Sequence, residues 1–197
     1  MTTRIRVVEP ADAAEVVAIY ASYVLHTAIS FEYDVPSVDE FSARIENGLR
    51  TLPWLVCEHD GSIIAYSYAS HHRERRAYQW SVETSVYVKE DFQGKGVALT
   101  LYTALFGLLK KQGFVNAYAG ISQPNPRSVA FHRKCGFTDV GLYKKIGYKA
   151  GAWHDVLWMH LVLHEAPLAP NNPIPFSRLS NADHYDILEQ STLSLKL

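Results

Sequence analysis

Cysteine, long apolar runs and excess charge of either sign are all scarce in this chain. Only Cys57 and Cys135 occur among 197 residues, and their separation is not a metal-ligand spacing, so no metal is expected. Two free thiols suit a reducing compartment, which makes a cytoplasmic location the expectation. No apolar run approaches the roughly 20 residues needed to span a bilayer, so no membrane partner is expected. The first residues, Met1-Thr2-Thr3-Arg4, lead into a strand-like run without a signal-peptide core. A net charge of −1 and a pI near 6.7 argue against a general nucleic-acid binder. No internal repeat is visible. What the chain does have is 48% hydrophobic residues, the usual globular proportion. Its length suffices for one domain with a real core plus an appendage.

The most informative segment is Gln93-Gly94-Lys95-Gly96-Val97-Ala98. It sits between a strand-like run, residues 78–88, and an apolar run, residues 97–109. Two glycines allow a sharp turn and close approach of backbone to a ligand. The free N–H groups of the following helix then face that ligand, and the helix dipole favours negative charge there. A phosphate or pyrophosphate is the expected guest. The Walker A pattern is excluded because Gly96, not Ser or Thr, follows Lys95. The dinucleotide fingerprint is excluded because its third glycine is missing. An ordinary tight turn before a core helix is the plain alternative.

Other elements are legible around this loop. Residues 5–8 read as a short strand, and Asp12 with Glu15 as a helix start. Val16, Ile19, Tyr20, Tyr23 and Val24 then recur at helical spacing. Ser37 and Glu40 form a second capping signature, and Asp60-Gly61 predicts a hairpin between residues 54–58 and 62–70. Gly113 ends the central helix, residues 115–122 form a strand, and Asn125-Pro126 starts a short helix that ends near Gly136. Residues 137–147 and 155–163 complete the sheet, the last run apolar enough for a strand buried on both faces. Pro167, Pro170, Pro173 and Pro175 break regular structure beyond His164. Residues 1–164 therefore read as the domain and residues 165–197 as a Pro-rich extension of unknown role. Residues 182–190 have room for one helix.

Strand alternation places Gln79, Ser81, Glu83, Ser85 and Tyr87 on one side, and Trp80, Val82, Thr84, Val86 and Val88 on the other. A polar face in the middle of a core-rich chain suggests a lined cleft; an edge strand facing water is the alternative. Glu83 is the candidate general base, since burial raises a carboxylate's pKa toward working pH. A structural salt bridge to an arginine is the bland option. Arg73 and Arg75 present planar forks suited to carboxylate or phosphinate oxygens, although charge runs are commonly solvated. His132 falls inside the short helix. It is placed either for proton traffic or as a packed core residue.

These motifs, in order from His71 to Leu163, resemble the phosphinothricin acetyltransferase branch of the GNAT superfamily of acyl-CoA N-acyltransferases. The matching residues are Arg73-x-Arg75-x-Ala77-Tyr78, Val82-Glu83-Thr84-Ser85-Val86-Tyr87-Val88, and Gln93 to Ala98 with Leu101-Tyr102. Asn125-Pro126-x-Ser128-Val129-x-Phe131-His132, Gly136-Phe137 and Gly151-x-Trp153-His154-Asp155-Val156 follow. The resemblance implies an α/β fold with a mixed, mostly antiparallel central sheet, flanked by helices and splayed near the glycine loop. It implies acetyl-CoA as co-substrate, its pyrophosphate on backbone N–H groups of residues 93–98. Its pantetheine arm would pair with Val86, Tyr87 and Val88 and touch Asn125, with the Val86 region polarising the thioester carbonyl. Glu83 would be the base, while Arg73, Arg75 and Tyr78 hold the acceptor's acid end and Phe31 lines the same pocket. Many superfamily members carry a tyrosine where His132 stands; this branch has histidine, leaving acid, base and positioning roles open.

The resemblance further implies a homodimer that transfers acetyl directly to the α-amino group of a small amino-acid-like acceptor. Phosphinothricin, methionine sulfoximine or sulfone, or an amino acid of similar shape would serve. Acetylation of proteins or peptides, and a CoA-binding module without turnover, stay open as alternatives.

Overall fold

Asp60 and Gly61 both take positive φ, 47° and 79°, and their turn sets the register of the antiparallel hairpin between Trp54 and Tyr68. The computed structural model describes residues 2–195 and 197; Met1 and Lys196 lie outside the described residues. The chain runs β1 (Thr3–Val7), α1 (Ala13–His26), α2 (Val38–Leu49), β2 (Trp54–His59), β3 (Ser62–His71) and β4 (Ser81–Val88). There follow α3 (Val97–Gln112), β5 (Asn116–Ser122), α4 (Pro126–Lys134), β6 (Thr138–Lys149), β7 (Ala152–Val162) and α5 (Asn181–Ser194).

The strands form one mixed sheet in the order β1-β2-β3-β4-β5-β7-β6. Every neighbouring pair is antiparallel except β4 and β5. That parallel pair is short: Ser81, Val82 and Glu83 meet Asn116, Ala117 and Tyr118, and the strands then part. The expected α/β architecture and the splay near the glycine loop are both present.

Alternation along the strands builds two cores. Ala65, Ala69 and Val82 pack with Leu101, Leu105 and Leu108 of α3. On the opposite face Val56 and Tyr66 pack with Val16 and Tyr20 of α1 and with Phe41 and Ile45 of α2. Ser37 caps α2 as anticipated, its side chain accepting from Glu40 N while the Glu40 carboxylate accepts from Ser37 N.

Three expectations are corrected. Asp12 does not cap α1 with its side chain; its carboxylate accepts from Glu9 N at 2.8 Å and from Arg6 at 2.6 and 2.9 Å. The guanidinium outcompetes the helix terminus for the same oxygens. Tyr78 is not in the strand, because Tyr78 N and Gln79 N donate to Arg75 O and Arg76 O and close a single 3-10 turn over Arg76–Tyr78. Finally β7 is not buried on both faces; only its Met159 is fully buried. Its neighbour β6 is the sheet edge, and several of its side chains line an open cavity.

Beyond β7 the chain returns across the domain. Phe176, only 4% exposed, stacks on His184 of α5 at 4.6 Å, and its N–H donates to Thr51 O. Gln112, at the end of α3, donates from Nε2 to both Thr51 O and Ile174 O. Ile187 of α5 lies over Gly107, where an added β-carbon would stand 3.1 Å from its Cγ2.

Candidate active site

The glycine loop adopts the geometry that its composition permits. Gly94 and Gly96 have φ of 78° and 87°, and α3 starts at Val97. No heavy atom lies within 4 Å of where either glycine's β-carbon would be, so conformation and not crowding demands glycine here. The first N–H groups of a helix have no partner within it. Here they open onto the exposed residues Gly94, Lys95 and Gly96. The Gln93 side chain turns the other way, donating to Tyr23 Oη at 3.2 Å and Val88 O at 3.4 Å. The ammonium of Lys95 sits 5.0 Å over the Phe92 ring.

The edge of β4 that faces the split is partly occupied. Tyr23 Oη donates to Val88 O at 2.6 Å and accepts from Val88 N at 3.3 Å. Tyr87 pairs with Tyr66 of β3, and its ring packs among Tyr20, Tyr23 and Tyr66. Alternation puts the main-chain groups of Val86 on the same edge as those of Val88. Tyr23 and β3 thus engage main-chain groups of Val88 and Tyr87, two of the three residues expected to form the pairing surface. Asn125 caps α4, its Oδ1 accepting from Ser128 N at 3.1 Å, which leaves its amide N–H groups for a ligand.

Glu83 stands where β4 and β5 part. It lines a cavity of about 420 Å³ together with Arg73, Phe31, Ser85, Tyr143 and Trp158. Arg75 and Tyr78 line a neighbouring cavity of about 660 Å³, which shares Arg73 with the first. The structure thus brings Glu83, Arg73 and Phe31 together and sets Arg75 and Tyr78 one cavity further out. Among the described residues neither Arg73 nor Arg75 forms an ion pair.

Behind Phe31, which lines the smaller cavity, is a clasp. Lys149, at the end of β6, is buried and donates from Nζ to Val24 O and Ser30 O, both at 2.7 Å. Burial holds its ammonium below the ordinary lysine value, with Glu32 opposing the shift. Tyr33 Oη donates to Tyr148 O, and Phe31 lies against Gly147. The β6–β7 hairpin is longer at its tip than the sequence indicated, and this extra length reaches the loop after α1.

Glu83 is not salt-bridged to an arginine. Its Oε1 lies 2.9 Å from Nδ1 of His72, a residue that sequence reasoning passed over. The signal was present in the basic turn at residues 71–76, but a turn gives no alternation from which to read direction. His72 stacks on Tyr118 at 4.6 Å, and Tyr118 stacks on His160 at 4.8 Å.

His132 is only 5% exposed and sits among Tyr102, Phe131 and Phe137. Its Nδ1 lies 2.8 Å from Ser128 O, which can only accept, so Nδ1 carries the proton. Its Nε2 lies 3.2 Å from Tyr102 Oη and accepts from that hydroxyl. Burial pushes the imidazole below its ordinary 6.5, while the Ser128 carbonyl opposes the shift. The ring is engaged at both nitrogens, and its burial favours the neutral form.

Comparison with known proteins gives a consistent picture. The family model described as "Acetyltransferase (GNAT) domain" matches residues 5–158. A phosphinothricin N-acetyltransferase from Streptomyces viridochromogenes is 36% identical over 171 residues, covering 86% of this chain and 93% of that one. An L-methionine sulfoximine/L-methionine sulfone acetyltransferase from Salmonella typhimurium is 34% identical, covering 83% and 97%. Among solved structures, a phosphinothricin acetyltransferase from Sinorhizobium meliloti in complex with AcCoA superposes with a TM-score of 0.83. It is 33% identical, over 90% of this chain and 98% of that one.

Proposed function

Because this chain belongs to the GNAT acetyltransferase family and is an acetyl-CoA-dependent N-acetyltransferase, we propose that it acetylates the α-amino group of a small amino-acid-like acceptor. Phosphinothricin, methionine sulfoximine or sulfone, or a natural amino acid of similar shape fits this reading, as the relatives' names indicate. The observation that carries it is the shared cavity of Glu83 and Arg73 at the point where β4 and β5 separate. A carboxylate base and a cation without a carboxylate partner suit a zwitterion, amine to one and acid group to the other.

Placement supports the following roles. The N–H groups at the start of α3 hold the diphosphate of acetyl-CoA, and the acyl arm runs along Val86. Val86 N–H polarises the thioester carbonyl. Arg73 grips the acceptor's carboxylate or phosphinate as a fork, with Arg75 and Tyr78 guarding the outer cavity. Glu83 takes one ammonium proton, and the freed amine attacks the acetyl carbon to form a tetrahedral intermediate. Its collapse breaks the C–S bond as the nitrogen's surplus proton passes to the departing CoA thiolate. Phe31 and Trp158 cover the acceptor's apolar part. His132 acts as a positioning residue that fixes Tyr102 and α4.

Two wider assignments belong to the same reading. Support for a homodimer is the apolar surface on β6 and β7, where Val140, Ile146 and Trp153 are all exposed. Support for a cytoplasmic location is the pair of free thiols, Cys57 and Cys135. Among the described residues no helix is long and apolar enough to cross a membrane. Residues 165–195 serve as a strap over the domain, anchored by Phe176.

Thiol release from acetyl-CoA, followed across a panel of free amino acids, phosphinothricin and short peptides, tests the proposal. Turnover with a small acceptor supports it. Release with peptides alone, or none with any acceptor, overturns it.

A further inference from the structure

The geometry points to His72 as the positioning residue of the Glu83 base, an inference that rests on the acetyltransferase reading above. A glutamate side chain at the last rung between β4 and β5 has three torsions to lose before it can meet an amine in one orientation. His72 removes that freedom. Its Nδ1 stands 2.9 Å from Glu83 Oε1, and a carboxylate can only accept, so the imidazole donates from Nδ1–H. Oε2 forms no hydrogen bond with any described residue, and Glu83 lines the acceptor cavity. One oxygen is thus held and the other left for the substrate.

The imidazole is itself fixed. Its face lies on Tyr118, with centroids 4.6 Å apart and planes 17° from parallel. Its edges meet Trp158 at 5.8 Å and Tyr78 at 6.3 Å, both close to perpendicular. β5, β7 and the turn over Arg76–Tyr78 therefore set the ring plane, and its side chain is only 16% exposed. His72 also directly precedes Arg73 in the chain. One short segment thus sets both the base and the cation for the acceptor's acid end, fixing the distance between amine site and anion site.

The ring's two contacts can be separated by substitution. His72→Phe keeps the stack on Tyr118 and deletes the donor. His72→Asn keeps an N–H near the Nδ1 position and deletes the stack. If the hydrogen bond is what matters, His72→Phe lowers kcat by about tenfold to a hundredfold, at unchanged acceptor KM and unchanged acetyl-CoA affinity. His72→Asn then retains kcat to within about threefold, despite a lower melting temperature. Wild-type kcat in His72→Phe, or an equal fall in both variants, overturns the inference. A readout free of turnover is the ¹⁵N spectrum of histidine-labelled protein. The inference requires the Nδ1–H tautomer at His72, and an Nε2–H tautomer sinks it even if every acceptor assay succeeds. Conversely, an Nδ1–H signal in a protein that acetylates nothing would leave the pair standing and remove the proposed reaction.

Discussion

Phe31 occupies the space that Gly147 leaves empty: a β-carbon on Gly147 would collide with Cε2, Cζ and Cδ2 of the Phe31 ring. The ring belongs to the loop after α1, and the glycine to the tip of the β6–β7 hairpin. Their contact seals one wall of the cavity that holds Glu83 and Arg73.

Gly147→Ala is therefore expected to push Phe31 into that cavity. The acceptor KM should rise about five- to thirtyfold, on the order of 1–2 kcal/mol of overpacking strain. Acetyl-CoA affinity, measured by calorimetry, should stay as it was. An unchanged acceptor KM would place the acceptor elsewhere.

Glu83→Gln retains the side chain's shape and removes its basicity. Turnover should fall by about 10²–10⁴, with acetyl-CoA binding within error of wild type. Full turnover in this variant would strip Glu83 of the base role.

Arg73 and Arg75 should behave differently, because only Arg73 reaches the Glu83 cavity. A charge-assisted hydrogen bond is worth about 1.5–3 kcal/mol, so Arg73→Ala should raise the acceptor KM roughly ten- to hundredfold. Arg75→Ala should raise it by several-fold at most. Steady-state kinetics with both variants decides the matter; equal effects would mean that the two guanidinium groups share one anion.

How much of this could be read from the chain depended on how local the signal was. Ser37 with Glu40, Asp60-Gly61, and Asn125 before Pro126 act within four residues, and each element starts or turns where its sequence indicates. Asp12 misled because its strongest partner, Arg6, lies on β1 and competes with the cap. Arg73 and Arg75 were indistinguishable because alternation applies to strands, and residues 72–75 are irregular. His132 was visible as a helical histidine, but its contact with Tyr102 spans thirty residues and is set by how α4 packs on α3. The partnership of His72 with Glu83 needed the third dimension altogether.

Burial of His132 carries a pH signature. The unfolded chain takes up a proton on this histidine near 6.5, whereas the folded protein resists until lower pH. Between those values the unfolded state binds more protons, so stability falls as pH drops through the window. His160 and His184 are lowered by burial as well and add in the same direction. The urea midpoint of the wild type should decline as pH falls below the ordinary histidine value of 6.5, and His132→Phe should flatten the decline. A midpoint that rises on acidification over this range would contradict the buried neutral ring.

The parallel ladder between β4 and β5 has three rungs. Past Glu83, the Val86 edge is a row of hydrogen-bonding groups that lacks a neighbouring strand. On the proposed function, an acyl carrier lying there would close a seam as well as present a reagent. Its arrival should then slow hydrogen exchange at the Val86 amide.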